Sequence, residues 1–344
     1  MTHRHKLAAA LIFLAVFYGL VLFAGFFAPY DFAAQNRDMP FAPPTALHFV
    51  DAQGQFHARP FVYGSQEPRA EAAPDEANPP QRPSPVHFFV HGSRYKIAGL
   101  FTSSVHFFGV DSPGEILLMG SDGYGRDQFS RFLYGGQISM LAGLIAAMLS
   151  VALGLLIGGI AGYYGGWIDE ILMRGGELFL ALPWLYLLFA VRAALPLRIS
   201  QWQVFLLLIA IMGLIGWARP ARLIRGVVLS AKQRNFVTAA RGFGASDIYL
   251  LRRHVLPQTY GVLLTQMTLL IPQYVLAEVT LTFLGLGVGE PMPSWGALLS
   301  SLQQYSVLSS YWWMFLPALL LIPLFLVFYS AADALQERFK SVAL

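Results

Sequence analysis

At 344 residues, 56% of them hydrophobic and 12% charged, with a mean hydropathy of +0.54, the chain is far from the roughly 25% charged residues of a soluble domain. That composition excludes a soluble enzyme and an intrinsically disordered protein, and the absence of cysteine excludes a disulfide framework, thiol catalysis and a zinc-thiolate site. A net charge of +4 matters less than where the 23 Lys and Arg lie relative to a bilayer.

Crossing the ~30 Å hydrocarbon core takes about 20 apolar residues per helix. Leu7 to Pro29 is uncharged and follows directly on Arg4 and Lys6; at 23 residues it favours a retained first helix over a secretory signal, whose apolar core runs about 7–15. The next uncharged run, Phe132 to Ile168, is too long for one helix and is divided by Gly162-Tyr163-Tyr164-Gly165-Gly166, so the second span is expected at about 137 to 161. A third span is expected at 173 to 196, with Glu177 and Arg192 near its ends at the interface, and a fourth from Ile199 to Ala218. The fifth, Gly261 to Gly285, holds Glu278 inside it, and the sixth is Trp312 to Ala332, opening on an interfacial aromatic group, Tyr311-Trp312-Trp313. The expected fold is an all-α polytopic membrane protein with six transmembrane helices.

Lys and Arg accumulate on the cytoplasmic side of short loops. With the N-terminus inside, thirteen fall in inner segments and five (Arg37, Arg126, Arg131, Arg192, Arg198) near the membrane outside, so both termini are expected in the cytoplasm. The chain is thereby divided into residues 1–29, an external region 30–131, and a five-helix core 132–344. Within the external region a Pro- and acid-rich linker is expected at about 59–85, while Leu47 to Val50 and Val86 to Val90 carry the Phe, Val and His of short strands in a small β-containing cap. That region reads equally as a docking surface for an external partner or as a decoration.

The cytoplasmic segment 219–257 carries eight basic residues against one acid, Asp247. Asn235 is expected as the N-cap of a short helix that Gly244 ends in the left-handed C′ position. Ser246 is expected to cap a second helix, apolar at Ile248, Leu250, Leu251 and Val255, that stops near Pro257. Basic elbows of this kind often do no more than contact anionic lipid headgroups.

The spacing of Ala239-Ala240, Gly244 and Leu256-Pro257 resembles the "EAA" loop of permease subunits in binding-protein-dependent ABC importers. Gly120-Ser-Asp122-Gly-Tyr-Gly125-Arg126-Asp127, with Ser130-Arg131 and Tyr134-Gly135, is similar to the segment before the second span in permeases of the dipeptide, oligopeptide and nickel class. Ala277-Glu278-Val-Thr-Leu-Thr-Phe-Leu-Gly-Leu-Gly287 followed by Pro293-Ser-Trp-Gly296 resembles that class's fifth-span signature, and the similarity runs from about Met119 to about Arg338. The resemblance implies the type I importer permease fold and a passive half-channel. Its partners would be a second permease, two ABC ATPase subunits bound at the elbows, an external solute-binding protein and membrane lipid, with no nucleic acid and no cofactor. Thr238, Ala239, Ala240, Gly244, Leu256 and Pro257 would form the ATPase-coupling loop, and Asp122, Gly125, Arg126, Asp127 and Glu278 the class signature and a candidate pathway. The chain departs from the pattern at Thr238, where the family has Glu; counted from Asn235 this is position N3, where Glu would close a capping box.

Glu278, inside a span, reads either as a contact for the cationic end of a peptide or as an interhelical hydrogen bond, the latter favoured because the signature covers substrates of varied charge. None of the four lysines follows a glycine, so the chain has no phosphate-cradling Gly-Lys-Ser/Thr loop and ATP hydrolysis belongs on a separate subunit. His87 and His91, four apart, lack the acid ligands of a metal site. The rivals are an ion-coupled secondary transporter, which would show internal repeats and several intramembrane charges, and a membrane-anchored binding module, which would not need the elbow.

Overall fold

The computed structural model describes residues 3–63, 83–97, 101–111, 114–181, 183–194 and 200–343. These fall into two compact units: a sheet-bearing unit, Val16–Ile138 with Glu290–Leu320, and a helical unit, Met1–Ala15, Ser139–Gly289 and Leu321–Leu344. The division cuts across the three blocks expected from sequence, because a helix that continues through a boundary contributes residues to both sides of it.

The helices are α1 (His3–Leu22), α2 (Ala24–Phe27), α3 (Gln128–Tyr164), α4 (Gly166–Ala181), α5 (Trp184–Ala193), α6 (Gln201–Gly216), α7 (Ala218–Ala231), α8 (Asn235–Gly242), α9 (Asp247–Leu250), α10 (Tyr260–Phe283), α11 (Trp295–Ser300), α12 (Tyr305–Ser310) and α13 (Leu316–Ala343). Among the described residues five stretches are long and apolar enough to cross a membrane: His5–Leu22, Gln128–Tyr164, Gln201–Ala231, Asp247–Phe283 and Trp312–Phe339. They coincide with five of the six expected spans. The third differs, for Pro183 separates α4 from α5 and leaves helices of 16 and 10 residues. Proline has no N–H for the carbonyl four residues back and disfavours helix in the residue before it. The side chain of Arg192 and residues 195–199 lie outside the described part.

In the sheet-bearing unit, strands β1 (His48–Val50), β2 (Phe56–Tyr63), β3 (Pro83–Ile97) and β4 (Phe101–Val110) form one antiparallel sheet in the order β1-β2-β3-β4. The β-containing cap is therefore present, and larger than the two short runs suggested. Both ends of the expected 59–85 linker belong to strands, residues 59–63 to β2 and 83–85 to β3, with Tyr63 paired to Pro83; residues 64–82 lie outside the described part. Val62, Val86 and Ile116 are buried together beneath Tyr30 and Phe108. Of the aromatic group Tyr311-Trp312-Trp313 expected at the interface, Trp312 is exposed, whereas Trp313 is buried and Tyr311 stacks on Phe41 at 4.3 Å between ring centres.

In the helical unit, α7 lies on a row of small residues. A Cβ at Gly154 would stand 2.6 Å from the Pro220 side chain, one at Gly158 would strike the Ala221 backbone, and one at Gly162 would approach the Arg225 carbonyl to 2.9 Å. Glycines four apart on α3 thus let the two backbones meet, the small-residue packing that substitutes for a hydrophobic driving force inside a membrane. Two of the three arginines of α7 meet acids of α4: Arg225 is bidentate to Asp169 at 2.5 and 2.6 Å, and Arg222 lies 3.6 Å from Glu177. For this reason Arg219 to Ala231, expected as the start of a loop, is helix.

Candidate functional site

The elbow forms between α7 and α10. Its first helix, α8, begins after Arg234, whose extended backbone (φ −69°, ψ 144°) makes it the N-cap, so Asn235 is the first helical residue and not the cap. Counted from there Thr238 is N4, outside the capping-box position, and its hydroxyl donates to the Arg234 carbonyl at 3.5 Å. At the other end Gly244 has φ +82°. The Ala245 N–H donates to the Ala240 carbonyl at 3.2 Å and the Gly244 N–H to the Arg241 carbonyl at 3.0 Å, the paired bonds of a Schellman motif. Ser246 is extended and precedes α9 as expected, though its side chain accepts no capping bond.

Beyond α9 the chain widens into a π-helical turn, Leu251–Val255, tightens to 3₁₀ over Leu256–Thr259, and enters α10. Pro257 does not end the helix. It occupies the first turn of the 3₁₀ stretch, where an N–H is not required, and the wide turn before it redistributes the hydrogen bonds.

Residues outside the expected set hold the elbow together. The Tyr163 hydroxyl, at the end of α3, donates to Asp247 Oδ1 at 2.7 Å and accepts from Arg241 at 3.2 Å; Arg241 and Asp247 are themselves 3.6 Å apart. Lys232 donates to the carbonyls of Gly162 and Tyr163 at 2.9 and 3.2 Å, supplying a cation and two hydrogen bonds to the orphan carbonyls of that helix end. Beneath, Tyr163, Ile224, Val228, Ala231, Val237, Leu250 and Val255 form one buried cluster. The sequence signals were present: Asp247 is the single acid among eight basic residues, and Tyr163 sits in the glycine-flanked turn.

Of the expected coupling residues, Ala240, Leu256 and Pro257 are half-buried, while Thr238, Ala239 and Gly244 are exposed beside Phe236, Phe243, Ile248 and Tyr249. Phe243 is 92% exposed. A rigid elbow thus presents an apolar face flanked by arginines, the type of surface that marks a protein interaction site.

A second group lies in the sheet-bearing unit. Asp122 accepts from the Tyr124 and Arg126 N–H groups at 2.8 and 3.1 Å and from Arg126 Nε at 2.7 Å, which closes the Gly123–Arg126 turn. Gly125 (φ +69°) allows it, since a Cβ there would strike the Asn36 carbonyl. Glu290 completes the group, reaching Arg126 at 3.0 Å and Arg131 at 2.8 Å; nothing local to Gly120–Arg131 predicted it. Arg131 is 2% exposed and Glu290 51%. These side chains, with Gln128, Ser300 and Gln304, line a cavity of about 540 Å³. Asp127 caps α3, accepting from the Ser130 N–H and hydroxyl at 2.8 and 2.6 Å, and burial pushes its carboxyl up to about 6 against those hydrogen bonds.

Glu278 is fully buried in the helical unit, accepting from the hydroxyls of Ser139 on α3 at 2.6 Å and Thr282 at 2.8 Å. Thr282 accepts in turn from the Val288 N–H at 3.1 Å. This is the interhelical hydrogen-bond arrangement.

Residues 154–341 match the family described as binding-protein-dependent transport system inner membrane component, and residues 3–44 match the N-terminal TM domain of oligopeptide transport permease C. The Dipeptide transport system permease protein DppC of Bacillus subtilis (strain 168) is 36% identical over 219 residues, 63% of this chain and 66% of that protein, so the match covers just under two thirds of that relative's length. The Glutathione transport system permease protein GsiD of Escherichia coli O6:K15:H31 is 38% identical over 232 residues, 67% of this chain and 71% of that protein. Among solved structures, an inward-facing methionine ABC transporter aligns at TM-score 0.48 and 14% identity, over 61% of this chain and 96% of the other.

Proposed function

The chain belongs to the family of binding-protein-dependent transport system inner membrane components, and from that premise we propose that it is one permease half of an ABC importer for peptides or similar small solutes. The observation that carries the reading is the elbow: two short helices, capped by a Schellman glycine and pinned to the end of α3 through Tyr163, with an exposed apolar face. An element of that kind passes on a push as a rigid body, which alternating access by rocking requires. The face built from Ala239, Phe243 and Gly244 takes a groove on a separate ATPase subunit, where ATP is hydrolysed; a second permease completes the pathway and an external binding protein delivers solute. Both termini, with the elbow, are cytoplasmic. The substrate class is carried over from relatives named for dipeptide and glutathione transport.

The Asp122, Arg126, Arg131 and Glu290 group holds the loop after α10 to the start of α3 as a structural clamp, and Glu278 is a tie between helices rather than a substrate contact. The ion-coupled transporter is the weaker reading, because Glu278 is already engaged by two hydroxyls and has no second acid beside it in the sequence of its span.

The test is purification of the tagged chain from its native membrane beside a Phe243→Asp variant. Co-purification of an ATPase and a second permease with the wild type, and loss of the ATPase alone from the variant, is the expected result. A wild-type chain that comes out alone, indistinguishable from the variant, would overturn the importer reading.

A further inference from the structure

The sheet is fastened to the point where α1 leaves the membrane. The apolar span His5–Leu22 ends one residue before α2, and α2 is where the sheet attaches. His106 Nδ1 lies 2.6 Å from the Ala28 carbonyl, a Cβ at Gly25 would collide with the Tyr95 ring, and the Phe26 ring lies 6.2 Å from Phe89 and 5.8 Å from Phe107. One helical turn after a membrane span is interface depth, so the parts of β3 and β4 packed on α2 lie at that depth too.

At this level the sheet exposes what a water-facing surface avoids. Phe88 and Phe89 are adjacent on β3, where successive side chains should point to opposite faces, yet both rings lie against Phe107, at 5.6 and 5.9 Å. The backbone achieves this at Phe89 with φ +57°, a left-handed conformation that is strained for a bulky residue. The strain yields two neighbouring Phe rings that are 57% and 64% exposed. A few residues along the same strand, Arg94 and Lys96 are exposed on either side of buried Tyr95, the residue packed on Gly25. Exposed aromatic rings on a strand that also carries exposed cations, continuous with the end of a spanning helix, are the composition of a membrane-interface anchor.

We propose that the Phe26, Phe88, Phe89 and Phe107 face seats the sheet in the lipid interface where α1 emerges, with Arg94 and Lys96 reaching anionic phosphate headgroups. The occupant is the phospholipid surface. The sheet is then held at a fixed height over the membrane by its own side chains, independently of which partner subunits the chain assembles with.

The absence of cysteine makes the native chain a ready background for site-directed spin labels. Single variants Phe88→Cys and Phe89→Cys, with Ile12→Cys in the span and Gln53→Cys on the β1–β2 turn as references, are labelled in the full chain and placed in phosphatidylethanolamine/phosphatidylglycerol nanodiscs. Power saturation with oxygen and with a water-soluble nickel chelate then gives each label's depth. Labels at 88 and 89 are expected to shift toward the oxygen-rich, nickel-poor behaviour of the Ile12 label. Nickel accessibility equal to that of the Gln53 label would overturn the proposal, and so would low accessibility to both reagents, which means a protein covers the face. A second readout leaves the chain unaltered: phosphatidylglycerol with a photoreactive acyl chain is expected to crosslink to the peptide containing residues 83–97, and crosslinks confined to helical peptides would overturn the proposal equally.

Discussion

The Tyr163 hydroxyl donates a 2.7 Å hydrogen bond to Asp247 Oδ1, joining the last residue pair of α3 to the first residue of α9. The same hydroxyl accepts from Arg241 of α8, so both elbow helices meet at one oxygen. Tyr163→Phe keeps the buried ring and removes only that junction. With Asp247 largely exposed, the loss of stability is expected to be about 1 kcal/mol. The chain should insert and assemble normally, while ATP hydrolysis in the assembled transporter becomes less responsive to the loaded binding protein. Unchanged responsiveness would mean that the junction only shapes the elbow.

Gly244 has open space where a Cβ would go, so the cost of replacing it lies in its backbone angle alone. Gly244→Ala is expected to destabilise the elbow by roughly 1–2 kcal/mol, and Gly244→Asn by less, because Asn tolerates the left-handed region. Hydrogen exchange of α8 and α9 reads this directly: faster exchange in the order Ala, Asn, wild type is the expected ranking.

Thr238 stands at N4 on an exposed face, so Thr238→Glu cannot close a capping box. Its remaining effect, a negative charge near a helix N-terminus, is worth about 0.3–1 kcal/mol in the stabilising direction. Coupled ATP hydrolysis is expected to stay within about twofold of wild type, and a sharp fall would show that the hydroxyl itself contacts the partner.

Burial raises the Asp127 carboxyl from 3.8 to about 6. A group whose folded pKa lies above its unfolded one favours the fold while protonated. Its contribution is full below about 3.8, declines as pH rises towards about 6 and is absent above that. The difference amounts to about 3 kcal/mol. Asp127→Asn removes the titration and keeps an acceptor for the Ser130 N–H. The melting temperature of the variant is therefore expected to exceed that of the wild type at pH 7 and to converge with it near pH 4; parallel curves would place the Asp127 carboxylate in water.

Because Tyr63 and Pro83 are register partners, the chain ends flanking residues 64–82 meet across the sheet. Replacing 64–82 with a two-residue hairpin turn is expected to leave transport and membrane insertion intact. Removing 59–85 instead would delete paired strand and is expected to unfold the sheet. Loss of transport in the shorter deletion, with normal insertion, would assign residues 64–82 a role of their own.

What the sequence determined by itself is local. Five apolar runs became the five helices of spanning length, since the cost of unpaired backbone in lipid leaves a continuous apolar stretch little choice but helix. Gly244 ended its helix as expected because a left-handed C′ residue is a single-residue demand. Tertiary structure decided whatever depended on a distant partner. Arg219 to Ala231 read as a basic loop and is helix, because Asp169 and Glu177 pair two of its three arginines and three glycines of α3 receive its backbone. Arg126 and Arg131 read as a signature, yet they are held by Glu290, about 160 positions along the chain. The register of Thr238 rested on whether Arg234 or Asn235 turned the chain, a one-residue shift that local propensity cannot resolve. Charge pairing and close backbone approach act through space, and so neither is written in the neighbourhood of the residues that depend on it.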